Sequence, residues 1–599
     1  MLHLHFGNRL EDLLDVTADD LTERPRGVFA VQTIVVPSQS MGQWLQLGLA
    51  DRHGIAAMMQ TPLPGSFLAA LYRRLLPAPD LDPAFERGAL TFRVFEILQD
   101  GRGVAANPSL ARYLSAAPEP LDRFHLAKRL AACYDQALIY RPDRLLAWEA
   151  GEEPGWQAEL WRALAISNGM HRARAFQRLD QAIAEAPREC LPDHLILFGF
   201  HTLPPVWLSL FAGLAARIPV QWLVPTPCRE YWAGLDTPAA LARRAARGQS
   251  VALRMVGHPL LATFGRQGAE FIDLLSELPG QVSEYFEDPV VQGRIDLLAR
   301  MQSDLLNLRD PTESSPQPVE PTDDSIQVHC CAGPLREVEV LHDRLRDLLD
   351  RQPDLNPSDI VVMTPDIERY APYVDAVFRS RKGDLAIPYR VADRGLLRSE
   401  PVVAGFFAWL ALAERRFTVN AVFDLLECPP VARRLSMSLG DRELLREWAR
   451  RAAIHWGLDG SDKGDFELPP ANAHTWRRGL DRLMLGTVLP EDGMAIHGDM
   501  APVEAVDGAF WPVLGRLAEW IDALRTDHDG LAEARSAQDW AEVLTTVLER
   551  LFEVEANEES ALQQLRGAIR QIGADAAAAA CTAQIPLTVF RASGKTGKR

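Results

Sequence analysis

A loop that grips a nucleotide has the form Gly-x-x-x-x-Gly-Lys-[Ser/Thr] between a strand and a helix. Its backbone N–H groups cradle the phosphates, the lysine reaches the outer ones and the hydroxyl holds magnesium. This chain of 599 residues carries five lysines, at 128, 382, 463, 595 and 598, so the search for such a loop is short. The slot after the first strand reads Gly7-Asn8-Arg9-Leu10-Glu11, without the second glycine or the Lys-Ser/Thr pair. The one Gly-Lys-Thr, Gly594-Lys595-Thr596, has Val589 where the first glycine belongs and lies at the C-terminal end. Lys128 falls mid-way along a helical pattern, and Lys382 and Lys463 fall in polar loops. An acidic pair ending a later strand, which would hold magnesium and position water, is missing as well: Leu195 to Phe198 run into Gly199-Phe200-His201-Thr202-Leu203-Pro204. A nuclease of the Asp…Glu-x-Lys type needs glutamate two residues before a lysine. Those positions hold Leu126, Ser380, Ser461, Ser593 and Thr596, which excludes that chemistry too.

Metal and thiol chemistry fare no better. The seven cysteines (133, 190, 228, 330, 331, 428, 581) are odd in number and show no Cys-x-x-Cys spacing, so reduced core thiols are expected. In His329-Cys330-Cys331, neighbours on a strand point to opposite faces, which makes Cys330 an ordinary core residue rather than a ligand. His3 and His5 share a face but lack a third ligand and read as structural. Basic and aromatic groups cluster at Arg73-Arg74, at Tyr140-Arg141 with Arg144, and at His171-Arg172-Ala173-Arg174. Such groups suit a single-stranded nucleic acid, where arginine tracks phosphate and flat groups meet bases. They suit equally the solvated face of a helix over buried aromatics, which charge pattern alone favours.

The elements that would position a nucleotide are nonetheless present. Leu2, Leu4 and Phe6 alternate, Gly7-Asn8-Arg9 follows, and a helical run starts at Leu10: strand, tight loop, helix. Thr33-Ile34-Val35-Val36-Pro37 leads through Ser38-Gln39-Ser40 into a helix from Met41 to Leu49, with Ser40 as N-cap. Two such steps in succession predict a parallel sheet. From about 66 to 190 the pattern is 3.6-periodic, a helical insertion, after which strands return at Leu195 to Phe198 and Val220 to Val224. Residues 309–324, which include Asp-Pro-Thr-Glu-Ser-Ser-Pro-Gln-Pro-Val-Glu-Pro-Thr-Asp-Asp from Asp310, have the composition of a linker. The pattern therefore predicts a first domain over 1–308. A second over 325–599 starts with strands at Ile326 to Cys330 and Ile360 to Met363 and continues as a helical insertion from about 401 to 573.

Composition bounds the class. Hydrophobic residues at 47% and charged residues at 24% describe a globular protein. The longest apolar run, Val402 to Ala413, is too short to span a bilayer, and the N-terminus has no signal-peptide pattern, so a cytoplasmic protein without membrane contact is expected. A net charge of −18 excludes wrapping of nucleic acid by the whole surface, though not a local basic channel.

Several stretches resemble the RecC family, the subunit that joins RecB and RecD in the RecBCD exonuclease V of bacteria. They include HFGNRLEDLL from His5, SMGQWLQLGLADRHGIAAMMQTPLPGSF from Ser40, YDQALIYRPDRL from Tyr134, LFGFHTLPP from Leu197 and TPCREYW from Thr226. They continue with GHPLLATFGRQGAEFIDLL from Gly257, REVEVLHDRL from Arg336 and HTWRRGLDRLMLG from His474, and the likeness runs to about Phe590. The resemblance implies an α/β fold of superfamily-1 helicase type, parallel sheets with large helical insertions and a degenerate nucleotide site. It implies a non-catalytic subunit in double-strand break repair by homologous recombination, one that braces RecB-like and RecD-like partners. In that role it guides the unwound strands and scans the 3′-ended single strand for the Chi signal. ATP and magnesium belong to the partners, with no cofactor in this chain.

Among the positions that read Chi in the family, Gln43, Leu63, Asp135, Arg141 and Arg172 match. Pro37, Gln39, Ala69, Ala132 and Cys133 depart from the enterobacterial pattern, which implies an altered or absent Chi preference. The family continues well beyond this length. The chain, ending in Ala-Ser-Gly-Lys-Thr-Gly-Lys-Arg, is thus expected to be an N-terminal fragment from a frameshift, a premature stop or a truncated reading frame. An adaptor that binds a RecB-like partner without touching DNA is the alternative. The lysine inventory nearly excludes an active helicase or nuclease, and a fragment that exposes apolar surface and folds poorly is a further expectation.

Overall fold

Six parallel strands organise the first part of the chain. A computed structural model describes them together with every residue except 24–30, 77–80, 102–106, 117–118, 167–168, 249–256, 311–317, 382, 384–385, 393–399, 414–415, 465, 492–495 and 595–599. The strands are β1 (Leu2–Gly7), β2 (Gln32–Val35), β3 (Met59–Gln60), β4 (Leu195–Phe198), β5 (Val220–Pro225) and β6 (Gln281–Tyr285). Their order is β3-β2-β4-β5-β1-β6, and every pairing is parallel. β4 is buried at all four positions, as a strand covered on both faces must be.

Helices α1 (Leu10–Glu23), α2 (Gln39–His53) and α3 (Pro64–Leu75) follow β1, β2 and β3. Leu13 and Leu14 of α1 and Leu45 and Leu49 of α2 pack with Ile34, Ile196, Phe198 and Leu223 on one face of the sheet. On the other face Leu2, Leu4 and Trp222 meet Phe67 of α3, Phe211 of the helix Pro205–Arg217 and Phe271 of the helix Arg266–Ser276. This doubly covered parallel sheet is the α/β fold expected. Ser38 rather than Ser40 caps α2, accepting from Met41 N at 3.1 Å, because its backbone is extended while Gln39 is already helical.

Contacts divide the chain into two compact units, Met1–Phe85 with Ala132–Val328 and Glu86–Ala131 with His329–Arg599. Composition placed a single break at 309–324, of which 311–317 lie outside the described residues. The insertion between β3 and β4 is helical, but its middle belongs to the second unit: Lys128 Nζ donates to Ala592 O at 2.9 Å, and Thr582 N to Glu96 Oε1 at 3.3 Å. The second unit is otherwise helical from Pro401–Ala413 through Glu559–Ala578 to Leu587–Gly594.

The strands expected at 326–330 and 360–363 do not form. Val328 is 85% exposed, Val361 77% and Met363 89%, and among the described residues no strand pairs with either segment. A buried strand needs neighbours on both edges and cover on both faces, and without them an apolar run stays extended and wet. Cys330, expected in the core, is accordingly exposed. The flanking helices Pro334–Arg351 and Ile367–Ser380 still pair through Val338, Val377 and Phe378, with Ile387 beside them. No helix among the described residues is long and apolar enough to cross a membrane.

Candidate functional site

In a doubly wound sheet the binding crevice lies outside the carboxyl ends of the strands. Here the place where a phosphate loop would stand, between β1 and α1, is filled by the chain itself. The loop is two residues long. Asn8 Nδ2 donates to Glu287 O at 2.8 Å, Glu287 N donates back to Asn8 Oδ1 at 3.0 Å, and Arg9 Nη1 pairs with the Glu287 carboxylate. Gly7 sits so close to β6 that a Cβ there would lie 2.9 Å from Tyr285 O. Glu11 and Asp12 occupy the first turn of α1, where an anionic ligand would need them absent. Burial, with Glu287 nearby, pushes the Asp12 carboxyl above its usual range, while hydrogen bonds from Gln292 and Arg9 hold Glu287 below its own. Three carboxylates and one guanidinium thus surround a slot that would otherwise attract phosphate.

Among the described lysines, Lys463 is structural. Lys463 is in the short helix Ser461–Gly464 rather than a polar loop; it is buried, bonded to Ala473 O, with Nζ 5.3 Å from the Trp456 ring. Gly594 is the last described residue of the helix Leu587–Gly594, and Lys382, Lys595, Thr596 and Lys598 lie outside the described residues. The His3 and His5 rings lie 3.9 Å apart, tilted by 32°, and bond to Ser283 and Gln221, and no metal-holding cluster occurs among the described residues.

The five candidate readers fall into two groups. Gln43 is exposed on α2, and Leu63 is half-buried at the cap of α3. Their elements abut because residue 42 is glycine: a Cβ there would lie 2.6 Å from Thr61 Oγ1. The other three belong to the insertion. Asp135 lies on the helix Pro120–Tyr140 and Arg172 opens the helix Arg172–Glu185; they pair with each other at 3.0 Å, both about a quarter exposed. Arg141 caps the helix Pro142–Ala150 and points outward, 3.5 Å from an equally exposed Asp143. Among the described residues no hydrogen bond or ion pair links the two groups. Of the positions that depart from the family pattern, Gln39 and Cys133 are exposed.

The family description "RecC, N-terminal domain" matches residues 2–308, and "RecBCD enzyme subunit RecC fourth domain" matches residues 399–595. The chain belongs to the RecC family. It is similar to the RecBCD enzyme subunit RecC of Escherichia coli K12, 33% identical over 99% of this chain and 57% of that protein. RecC of Mycolicibacterium smegmatis is 31% identical over 92% of this chain and 51% of its own. For Haemophilus influenzae RecC the figures are 29%, 92% and 54%. The chain spans about half the length of the curated RecC proteins it matches.

Two features of this RecC chain escaped the reading by residue type. One is the Glu287 clamp, 279 residues from the loop it closes. The other is Glu149, which accepts from Trp161 Nε1 at 2.9 Å and from Arg174 Nη2 at 2.7 Å, and lies 2.7 Å from buried His171. It ties the helix bearing Arg141 to the helix that Arg172 opens. A lone glutamate in Ala-Trp-Glu-Ala carries no local signal of this role; the histidine and arginines of His171 to Arg174 do.

Proposed function

We propose that this chain is the strand-guiding part of a non-catalytic RecC subunit, acting in the cytoplasm in double-strand break repair by homologous recombination. It braces RecB-like and RecD-like partners, which supply ATP hydrolysis and use the magnesium, and it passes the 3′-ended single strand across a surface that scans for a Chi-type signal. The observation that carries this reading is the closed β1–α1 slot: a helicase-like sheet whose nucleotide place is occupied by Asn8, Arg9 and Glu287 keeps a scaffold without a motor. Millimolar ATP with magnesium should leave the melting temperature of the chain unchanged, since a ligand that binds only the native state must raise it. A rise of several degrees would overturn the assignment of nucleotide chemistry to the partners.

Strand binding separates the candidate residues. Arg141→Ala should weaken binding of an oligothymidylate and lower the slope of log affinity against log salt by about 0.7, the share of one phosphate contact. Asp135→Asn has the opposite sign: it removes the carboxylate that competes for Arg172, so affinity should rise about threefold at low salt. Anisotropy titrations at several salt concentrations read both. The assembly-adaptor reading draws on the same Arg172–Asp135 pair, a cation already neutralised within the chain. Co-purification with a RecB-like partner, with no single-strand affinity at low salt, would favour it over strand guiding.

A further inference from the structure

Away from the candidate readers, a cavity of about 440 Å³ in the sheet-bearing unit is lined by Asp236, Ala240, Arg243, Arg244, Arg247 and Arg266. Arg244 is paired with Asp236 at 2.8 Å. Arg243, Arg247 and Arg266 are exposed, and among the described residues no carboxylate pairs with any of them. In a chain with 81 acidic and 63 basic residues, three convergent unpaired guanidiniums make a local positive potential that the composition opposes.

Helix electrostatics explain part of this cluster. Arg243 and Arg244 stand in the last turn of the helix Pro238–Ala246, capped at its start by Thr237, and cations are favoured there by the helix dipole. Arg266 has no such reason. It is the first residue of the helix Arg266–Ser276, where the dipole disfavours a cation, and it faces the same cavity. Packing holds it in place: Gly265 and Gly268 press on buried Trp232, where added Cβ atoms would come within 2.5 and 3.0 Å of the indole. Trp232 Nε1 in turn donates to Thr226 Oγ1 at 3.3 Å, just beyond the end of β5. Phe264, two residues before Arg266, is 81% exposed, which offers a flat face beside the cations.

We propose that this cavity binds backbone phosphates of a single nucleic-acid strand, as a contact site separate from Gln43, Leu63, Asp135, Arg141 and Arg172. Arg243, in the last turn of its helix, and Arg247, the C-cap residue that follows it, line the cavity together with Arg266 from the helix Arg266–Ser276, so that successive phosphates can meet more than one guanidinium. The site rests on the strand-guiding reading and extends the path of the strand to the carboxyl side of β5.

The test uses the full chain, an oligothymidylate and inorganic pyrophosphate. For the triple variant Arg243→Ala, Arg247→Ala, Arg266→Ala the salt slope should fall by about two, at about 0.7 per contact, with affinity at 50 mM salt about tenfold or more weaker. Its melting temperature should be unchanged because the three side chains are exposed, and the matching triple lysine variant should keep most of the slope. If the wild type binds the strand and the alanine variant matches it in affinity and slope, the cavity assignment fails and the strand-guiding reading survives. If the wild type binds no strand at low salt, both fail. If micromolar pyrophosphate displaces the strand, the cavity serves small phosphate compounds and the assignment to a strand is overturned.

Discussion

Trp222→Ala is expected to cost the sheet-bearing unit about 3–5 kcal/mol, the range for removing a fully buried aromatic. Trp222 is the third residue of β5, between β4 and β1 near the middle of the sheet, and no part of it reaches solvent. Its ring meets Phe211 at 6.2 Å and Phe271 at 6.1 Å, from two helices on the same face. Neither helix can collapse into the space without leaving the sheet, so most of the cavity should persist. Among the described residues the indole Nε1 has no hydrogen-bond partner. Trp222→Phe therefore removes an unsatisfied donor along with some volume, and should cost about 1 kcal/mol or less. Urea unfolding followed by a probe in this unit reads both: the midpoint falls at constant slope for alanine and barely moves for phenylalanine. Equal losses for the two variants would mean that the packed aromatic volume, most of which phenylalanine keeps, does not set the cost at this position.

How much of this was legible in the sequence depends on distance along the chain. The step from β1 through Gly7-Asn8-Arg9 into α1 is local, and alternation followed by a 3.6-residue period found both elements and the missing phosphate loop. β6 escapes a local reading because it is a polar edge strand, Gln-Val-Ser-Glu-Tyr, whose strand partner among the described residues is β1, nearly 280 residues earlier. The segment Ile360 to Met363 reads as a buried strand because an apolar run records a tendency to be covered, not the presence of a cover. Asp135 and Arg172 are both candidates in the sequence, but their mutual pairing depends on how two helices pack and neutralises the arginine within the chain. The run Ala-Arg-Arg-Ala-Ala-Arg from Ala242 is visible to any reader; that Arg266 joins it is visible only in three dimensions.

Glu149→Gln should lower stability by about 2–3 kcal/mol, because it keeps the shape of the side chain but weakens charge-assisted bonds from His171, Arg174 and Trp161 together. Burial by itself would raise the Glu149 carboxyl, yet the hydrogen bonds from His171, Arg174 and Trp161 outweigh it and hold the group below its ordinary value of 4.5. The sign of the pH dependence follows. A carboxyl whose pKa is depressed by folding adds stability that is full above the unfolded value and is lost as pH falls through the folded one. The gap between wild type and variant should be constant from neutral pH down to about 5 and close at more acid pH; a gap that widened on acidification would show that the carboxyl is not the group being linked. The same variant tests position against contact on the strand. Glu149 fastens the helix Pro142–Ala150, capped by Arg141, to the start of the helix Arg172–Glu185, but it carries the wrong charge to touch phosphate itself. Loosening that junction should weaken strand affinity while leaving the salt slope at its wild-type value, because the number of phosphates neutralised is unchanged and only their alignment with the arginines is lost.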